Sequence, residues 1–305
     1  MSDDIPFDKS FNLPPNQVEE AAPGIRRIVA DNPGPFTFTG TVTYIVGCGQ
    51  VAIVDPGPDD ETHAKAILDA VRNETVTHIF VTHTHRDHSP NVPRIKAATG
   101  ATVYAEGPHR AARTVHISET KRLDASGDME FRPDRTLADG EVVAAGGWAL
   151  EAITTPGHCA NHMAYALRGT DTLFSGDHVM AWATSIIAPP DGSMRDYMAS
   201  LAKLRKRAEQ TYFPGHGGAV RDAPQYVERF IRHREAREAG ILRGLRNGPA
   251  EIPALVRGMY IGLDPRLVSA AGLSVFAHLE DLVARGLVAT DGDPAINGSY
   301  RLAAG

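Results

Sequence analysis

The stretch Val81-Thr82-His83-Thr84-His85-Arg86-Asp87-His88 contains three imidazoles and one carboxylate within eight residues. It follows an apolar run that is typical of the end of a buried strand, so these polar side chains are expected on a loop at a strand terminus. In an extended segment His83 and His85 project to the same side and can share one metal ion, while Asp87 and His88 turn toward a second. The stretch therefore predicts a metal-binding site.

Three further strand-like runs end at a glycine that is followed by a single histidine or aspartate. The segments are Thr155-Pro156-Gly157-His158, Ser175-Gly176-Asp177 and Pro214-Gly215-His216-Gly217. One such segment alone would indicate an ordinary turn, because glycine is common in turns. Three of them downstream of a histidine-rich loop instead indicate the additional ligands that metal ions need.

Together these segments resemble the metallo-β-lactamase superfamily, whose motif of two His followed by Asp-His is matched by the first loop. By that resemblance seven residues form two adjacent metal sites: His83, His85 and His158 in the first, Asp87, His88 and His216 in the second, and Asp177 as the bridge. Asp55 in Val54-Asp55-Pro56 matches the early aspartate of the family, which lies below the metals. The implied cofactor is two divalent ions, with zinc expected from the imidazole-rich ligands and manganese or iron as alternatives.

The order of strand and helix patterns predicts a layered α/β architecture. Hairpin-forming strand patterns come first, and a helical pattern with apolar residues at three- and four-residue spacing follows from Ala64 to Val71. The resemblance implies an αββα sandwich, with two central sheets between helices. We expect an N-terminal arm over residues 1–24, a catalytic domain over 25–222 and a helical, winged-helix-like C-terminal domain over 223–305.

The C-terminal part adds a narrower resemblance. Helical patterns up to residue 282 and two short strand patterns after it are typical of a winged helix. With His233-Arg234-Glu235 and His278-Leu279-Glu280 following the last ligand, the chain looks like the subgroup around beta-lactamase-like protein 2, whose animal member is a zinc-dependent endoribonuclease for single-stranded RNA. The segment His158-Cys159-Ala160-Asn161-His162 departs from that subgroup, which has acidic residues before the second histidine, and His178 is a second departure.

The chemistry expected from two metals is hydrolysis by a hydroxide that bridges them. Asp87 would orient this nucleophile while it binds metal. His162, four residues after His158, would protonate the leaving group, and a hydrogen-bonded structural role is its equal alternative. We expect His178 to line the pocket or to support a ligand.

The predicted metal site does not identify the substrate, because a metal-activated water can attack either a phosphorus or a carbonyl carbon. The first expectation is phosphodiester cleavage of single-stranded RNA, following the subgroup. Arginines that can contact phosphates support it, although interleaved glutamates favour an ordinary solvated helix face; these arginines are Arg229, Arg232, Arg234, Arg237, Arg243 and Arg246. The first alternative is a carbonyl substrate, namely a thioester, lactone or β-lactam, and the second is a non-enzymatic nucleic-acid-binding or regulatory protein.

Composition indicates the location of the protein and the classes of partner that it is not expected to bind. The net charge of -6 lacks the basic excess of nucleic-acid-binding proteins, and residues 265–285 have too few basic residues for sequence-specific DNA binding. The two cysteines, Cys48 and Cys159, predict no disulfide framework, and no export signal or membrane span is expected, which indicates a cytoplasmic protein. We interpret the C-terminal domain as a lid or as the dimerisation element of a homodimer.

Two remaining segments and six histidines have less specific interpretations. Residues 106–140 are expected to form a surface insertion, with a loop or lid beside the site as the alternative. The apolar loop 179–183 would either form a wall for the substrate or pack inward. The other histidines share no pattern and are expected to be structural or exposed; they are His63, His78, His109, His116, His233 and His278.

Overall fold

The computed structural model describes residues 5–115 and 127–304 of the chain. Its first sheet has seven strands, which neighbour one another in chain order. They are β1 (Val18–Ala22), β2 (Ile25–Val29), β3 (Val42–Cys48), β4 (Gln50–Val54), β5 (Thr75–Phe80), β6 (Thr102–Ala105) and β7 (Arg135–Thr136). Strands β1 to β4 pair antiparallel, whereas β4 to β7 pair parallel.

The second sheet has five strands. They are β8 (Val142–Ala145), β9 (Trp148–Thr154), β10 (Met163–Leu167), β11 (Thr172–Gly176) and β12 (Thr211–Pro214). The order across the sheet is β12-β11-β10-β9-β8, and the β11–β12 pair is parallel while the other pairs are antiparallel. Every residue of β10, β11 and β12 is buried, as expected for strands that are covered on both faces.

Apolar side chains on both faces of each sheet produce three layers of core. Between the sheets, Tyr44 packs on Phe174 and Phe80 packs on Tyr165, each with ring centroids 5.1 Å apart. The outer face of the first sheet is covered by two helices and that of the second by two more: α1 (Glu61–Ala70), α2 (Val92–Thr99), α3 (Met194–Leu204) and α4 (Ala223–Leu245). This order of helix, sheet, sheet and helix confirms the predicted αββα sandwich.

After α4 the chain forms a smaller unit with a core of its own. It contains α5 (Ile252–Met259), a 3-10 turn (Pro265–Leu267), α6 (Val268–Ala284), β13 (Ala250–Glu251), β14 (Val288–Thr290) and β15 (Ser299–Leu302). The three strands form a sheet with the order β13-β15-β14. Leu255, Phe276 and Tyr300 are buried together between the helices and this sheet. Helices followed by a β-hairpin confirm the predicted winged-helix-like domain.

Several contacts join the parts that the sequence divided at residues 24 and 222. Strand β1 pairs with β2, and Ile5 is buried in the core beneath the second sheet, so part of the N-terminal arm is built into the sandwich. Helix α4 packs Phe230 against the second sheet and Leu245 in the C-terminal core. The domain boundaries stay predictions, because a helix shared by two cores has no boundary at its first residue.

The segment predicted as a surface insertion, residues 106–140, is only partly described. His116 lies outside the described residues. Of the described part, Phe131 and Leu137 are buried, and β7 extends the first sheet. Residues 127–140 therefore contribute to the fold as well as to its surface.

The segment Pro265–Ala284 is long and apolar enough to cross a membrane when it is judged by length and composition alone. The core helix of a folded domain satisfies the same criterion. Val275, Phe276 and Leu279 of this segment are buried in the C-terminal core, which accounts for the apolar character of one of its faces.

Two tyrosine hydroxyls link the sheets directly beneath the loops that are predicted to bind metal. Tyr44 on β3 donates a hydrogen bond to the carbonyl of Pro214 at 2.7 Å, and Tyr165 on β10 donates to the carbonyl of Val81 at 2.8 Å. Both tyrosines are buried. Each bond satisfies a carbonyl at the point where a strand ends, so each tyrosine fixes the start of a ligand loop.

We expect Tyr44→Phe and Tyr165→Phe each to lower the free energy of unfolding by about 1 to 3 kcal/mol, because each leaves a buried carbonyl without a donor. Urea denaturation followed by circular dichroism measures the loss. Tyr104→Phe is the matched control, since the hydroxyl of Tyr104 has no hydrogen-bond partner among the described residues. Equal stability of all three variants would contradict the proposed role of the two hydroxyls.

Candidate metal centre

All seven predicted ligands lie at the ends of strands, on one edge of the two sheets. The histidine-rich loop follows β5, His158 follows β9, Asp177 follows β11 and His216 follows β12. Strands β9, β11 and β12 point in the same direction, because β10 runs antiparallel between β9 and β11. The fold therefore brings together residues that are as far apart in sequence as positions 83 and 216.

The glycines that precede these ligands are required by close packing as well as by turns. A Cβ atom on Gly215 would lie 2.5 Å from Asp177 Oδ1 and 2.6 Å from His88 Cε1. A Cβ atom on Gly157 would lie 2.3 Å from the Cα of Tyr197. Gly157 also has a φ of 140°, a backbone conformation that favours glycine. The pattern of glycine before a ligand thus reflects how tightly the loops approach one another.

Three ring nitrogens converge in the first group of ligands. His83 Nε2 lies 3.1 Å from His85 Nδ1, which lies 3.0 Å from His158 Nε2. Burial lowers the pKa of His158 to about 4 and holds the pKa of His83 well below its usual value. These two imidazoles are therefore neutral at pH 7 and have lone pairs for a cation.

The second group combines a carboxylate with two imidazoles. Asp87 Oδ2 lies 3.3 Å from His88 Nε2 and 3.2 Å from His216 Nε2. Thr41 Oγ1 donates a hydrogen bond to the same Asp87 oxygen at 3.2 Å. This donor fixes the carboxylate in place at the edge of the cluster.

Asp177 contacts both groups. Its Oδ2 lies 3.6 Å from His158 Nε2 and 3.2 Å from His216 Nε2, and its Oδ1 lies 3.6 Å from His88 Nε2. Burial raises the pKa of Asp177, but the neighbouring charges of His216 and His88 outweigh this effect and hold that pKa well below its usual range. Asp177 is thus an ionised carboxylate between the two groups, in the position expected for a bridge.

Asp55 and Thr82 orient two of the imidazoles from below. His88 Nδ1 donates to Asp55 Oδ2 at 3.0 Å, and the backbone N–H of Thr82 donates to Asp55 Oδ1 at 2.7 Å. Thr82 Oγ1 donates to Asp55 Oδ2 at 2.7 Å and accepts from His83 Nδ1 at 3.0 Å. With their protons on Nδ1, both rings direct the lone pair of Nε2 toward the cluster.

The other three imidazoles have outer partners as well. His158 Nδ1 donates to the carbonyl of Ile186 at 2.7 Å, and His216 Nδ1 donates to the carbonyl of Gly40 at 3.3 Å. His85 is reversed, since its Nε2 donates to Asp191 Oδ2 at 2.7 Å and its Nδ1 faces the cluster. Outer acceptors of this kind set the tautomer of a metal-binding histidine.

The residues present fit a pair of divalent cations. Within the described parts of the chain, His88 Nε2 and Asp177 Oδ1 are buried without a hydrogen-bond partner, which is costly unless a ligand satisfies them. The inward nitrogens of the first group carry lone pairs that face one another, an arrangement that only a cation or extra protons can relieve. Four clusters of metal-binding type include all seven predicted ligands. Imidazole and carboxylate are ligands that zinc and related ions accept.

Of the two roles predicted for His162, the structure favours the hydrogen-bonded structural role over that of a proton donor. His162 is fully buried, its Nε2 accepts the backbone N–H of Asp177 at 3.1 Å, and its Nδ1 lies 2.8 Å from Thr155 Oγ1. Burial, with the charges of His178 and His158, also holds its pKa well below the usual value. Both ring nitrogens are hydrogen-bonded and the ring is neutral, so His162 supports the backbone of Asp177, as the structural alternative requires.

His178 does not line the cavity, so of its two predicted roles the support of a ligand is the one that stays a prediction. Its ring is buried, with its centroid 4.5 Å from that of Tyr197 and 5.5 Å from that of His162. Of the histidines expected to be structural, His63 bonds to Thr43 and Asn16, and His109 bonds to Thr84. Neither His63 nor His109 belongs to the ligand groups.

Sequence reasoning missed Asp191. It lies in the segment Pro189-Pro190-Asp191-Gly192, whose composition indicates only a turn. Its carboxylate is 5% exposed and fixes His85 across 106 positions of sequence. No local pattern marks such a long-range partner.

A cavity of about 530 Å³ opens above the ligand cluster. Its floor is formed by His85, Asp87, His158, Asp177 and His216. Most of its walls are apolar and come from three places: Phe36 and Thr37 before β3, a loop after β11 with Met180, Ile186, Ala188, Pro189 and Pro190, and helix α6 with Ser269, Ala270 and Leu273. Of the predicted apolar loop 179–183, Met180 forms part of this wall, whereas Val179 and Ala181 pack inward.

None of the six arginines for which phosphate contacts were considered lines the cavity, and the solvated helix face favoured from sequence stays the simpler interpretation for most of them. Arg234 is buried and donates a hydrogen bond to the carbonyl of Ser185, with its guanidinium 5.2 Å from the centroid of the Tyr197 ring. Arg232 forms an ion pair with Glu228 at 3.1 Å. Among the residues that the structure describes, Arg86 is the only lysine or arginine that lines the cavity.

Comparison with known proteins gives two sequence-family matches. The profile of the Metallo-beta-lactamase superfamily matches residues 36–216, and that of the Beta-lactamase associated winged helix domain matches residues 252–298. The Beta-lactamase-like protein 2 homolog of Caenorhabditis elegans is 32% identical over 75% of this chain and 73% of its own length. An Atrochrysone carboxyl ACP thioesterase of Aspergillus fumigatus is 27% identical over 76% of this chain and 68% of its own length.

Solved structures support the same fold. A beta-lactamase domain protein from Burkholderia ambifaria is similar with a TM-score of 0.79 and 21% identity, over 97% of each chain. A metallo-beta-lactamase family protein from Thermus thermophilus is similar with a TM-score of 0.72 and 22% identity, over 93% of this chain and 100% of the other.

We expect Asp191→Asn to weaken the binding of the metal held by His85 by about 10- to 100-fold, because a neutral amide polarises and orients the imidazole less than a carboxylate does. Competition with a chromogenic chelator measures this affinity. Asp59→Asn is the control, since Asp59 is exposed and its carboxylate pairs with Arg94 instead of with a predicted ligand. Unchanged affinity in Asp191→Asn would show that its hydrogen bond to His85 is dispensable.

Proposed function

Because the chain belongs to the metallo-beta-lactamase superfamily, we propose that it is a metal-dependent hydrolase of carboxylic thioesters with an apolar acyl group. The observation that carries this proposal is the cavity above the ligand cluster, whose walls are formed largely by Phe36, Met180, Ile186 and Leu273. An apolar wall stabilises an acyl chain by about 25 cal/mol for each Å² removed from water. The proposal reverses the order of the two substrate classes that were expected from sequence.

An RNA substrate is less compatible with this cavity. Proteins that bind single-stranded nucleic acid combine a basic groove along the backbone with aromatic platforms for the bases. Among the described lining residues, one arginine and one aromatic ring, Arg86 and Phe36, are available for such contacts. The arginines that supported the RNA expectation include Arg234, which is buried elsewhere, and Arg232, which is paired with a glutamate.

A thioester substrate also agrees with the described lining of the cavity, which offers no histidine to protonate a leaving group. With His162 occupied below the site, the described lining contains no imidazole outside the metal-binding groups. A thiol has a pKa of about 8.5, so a thiolate leaves without prior protonation far more readily than an alkoxide does. The name of the similar fungal thioesterase supports the same substrate class.

The residues of the site have separable roles in this reaction. Bound metals would supply an activated water and stabilise the negative charge that develops on the carbonyl oxygen. His83, His85 and His158 would hold one ion, Asp87, His88 and His216 the other, and Asp177 both. Asp87, positioned by Thr41, is the catalytic carboxylate that faces the cavity and orients the attacking water. The apolar walls exclude bulk water and strengthen these interactions.

Cleavage of single-stranded RNA is the second candidate, favoured by the similarity to a beta-lactamase-like protein 2 homolog. A binding protein without activity is disfavoured, because all the predicted ligands are present and converge. Zinc as the bound metal, a cytoplasmic location and a homodimer stay predictions.

We expect the metal-loaded protein to hydrolyse medium-chain acyl thioesters with a kcat/KM at least about 100-fold above that for a chromogenic β-lactam, because only the acyl chain matches the apolar walls. His158→Ala should lose about 1,000-fold or more in activity while keeping its circular dichroism spectrum, since the ligand is not part of the core. The assay follows thiol release, beside cleavage of a labelled single-stranded RNA. RNA cleavage that is lost in His158→Ala, together with no thioester turnover, would replace the proposal by the second candidate.

A further inference from the structure

One helix of the winged-helix domain has an unusual amino-acid composition. In winged helices that bind DNA, the helix before the β-hairpin is usually exposed and basic, so that it can enter a groove. Here that helix is α6, which precedes the β14–β15 hairpin. Its sequence contains two charged residues, Glu280 and Asp281, and both are acidic. A helix of this composition does not attract phosphates.

The two faces of α6 have different neighbours. One face buries Val275, Leu279 and Leu282 in the core of the C-terminal domain. The opposite face presents Ser269, Ala270, Leu273 and Ala277, which follow one another at helical spacing. The first three of these line the cavity above the metal ligands, and Ala277 packs against the core of the catalytic domain. Neighbours on two opposite sides account for the apolar residues on both of these faces.

Ion pairs attach α6 to the catalytic domain. Arg195 at the start of α3 lies 3.0 Å from Asp281, and Arg113 lies 2.6 Å from Glu280. The Arg113–Glu280 pair is mostly buried, with side-chain exposures of 28% and 18%. Such pairs set the position of a surface more than they stabilise it, so the acidic end of α6 fixes its apolar face over the cavity.

We propose that the winged-helix domain forms the acyl-binding subsite of this enzyme, with Leu273 as the residue that determines which acyl chain lengths are accepted. This inference rests on the proposed thioesterase function and assigns its substrate specificity to α6. Leu273 is the largest side chain that α6 contributes to the cavity, and Ala270 and Ser269 leave room beside it. The side-chain volume at positions 270 and 273 then limits how many methylenes can be buried.

The test is a series of straight-chain acyl thioesters of N-acetylcysteamine, from acetyl to decanoyl, with release of the thiol as the signal. Water attacks the carbonyl carbon, the carbon–sulfur bond breaks, and a carboxylic acid and a thiol result. For the wild type, kcat/KM should rise by about fourfold with each methylene until the subsite is full, which is the fold-change expected for burying one methylene.

Leu273→Trp should lower the ratio of kcat/KM for the longest accepted chain to kcat/KM for the acetyl thioester by about 10- to 200-fold, because only the longer chain meets the added ring. Leu273→Ala should shift the optimum to longer chains. Ala270→Leu fills the same space from the neighbouring position and should act like Leu273→Trp. Val268→Ala is the matched control, since Val268 is on the same helix, is 46% exposed and does not line the cavity.

Each outcome separates the inference from the function on which it rests. Chain-length profiles that are unchanged in Leu273→Trp and Ala270→Leu, with metal content and melting temperature intact, would overturn the role of α6 and leave the thioesterase function standing. Absence of thioester hydrolysis by the metal-loaded wild type would overturn the proposed function. In that case binding of decanoate, measured by calorimetry, still tests the subsite: it must weaken at least about tenfold in Leu273→Trp, and equal binding would overturn the subsite too.

Discussion

The convergence of imidazole lone pairs around one buried carboxylate is the constraint on which the rest of the structure depends. Asp177 has oxygens within 3.6 Å of three histidine nitrogens, and it is 6% exposed. A buried ionised carboxylate is costly unless it is compensated, so the cluster is stable only with cations or protons between its members. The fold orients the cluster for cations, because the outer nitrogen of every imidazole is hydrogen-bonded to a fixed acceptor. Asp55 and Asp191 do this with charge, Gly40 and Ile186 with backbone carbonyls, and Thr82 with its hydroxyl oxygen.

The two sheets are arranged to maintain that cluster. Tyr44 of the first sheet bonds to the carbonyl of Pro214 just before one ligand loop, and Tyr165 of the second sheet bonds to the carbonyl of Val81 just before another. Because each of these bonds crosses from one sheet to the other, a shift of one sheet against the other would displace both ligand loops. Since Gly215 leaves no space for a Cβ atom beside Asp177, the loops are packed as closely as the backbone allows.

Local patterns and the family resemblance were sufficient to predict which residues converge at the candidate site, the αββα sandwich and the winged helix. A ligand at the end of a strand is visible from an apolar run, a glycine and a histidine. The roles that were left open or missed are set by long-range neighbours. His162 has the spacing of a catalytic histidine, but its ring points to the backbone of Asp177 instead of the cavity. Asp191 was overlooked because its partner, His85, is distant in sequence. Arg234 was considered for phosphate binding because its partner, the carbonyl of Ser185, is distant as well. Local sequence does not indicate such long-range contacts.

The C-terminal part also acts on the metal centre through the backbone. Arg234 of α4, buried and stacked on Tyr197, donates to the carbonyl of Ser185, and Ser185 Oγ bonds to the carbonyl of Asp177 at 2.6 Å. The next residue, Ile186, supplies the carbonyl that orients His158. A guanidinium costs free energy to bury, and the carbonyl of Ser185 and the ring of Tyr197 offset part of this cost for Arg234. The C-terminal part of the chain is therefore joined to the site in two ways: α6 borders the cavity, and α4 holds the loop that contacts Asp177 and His158.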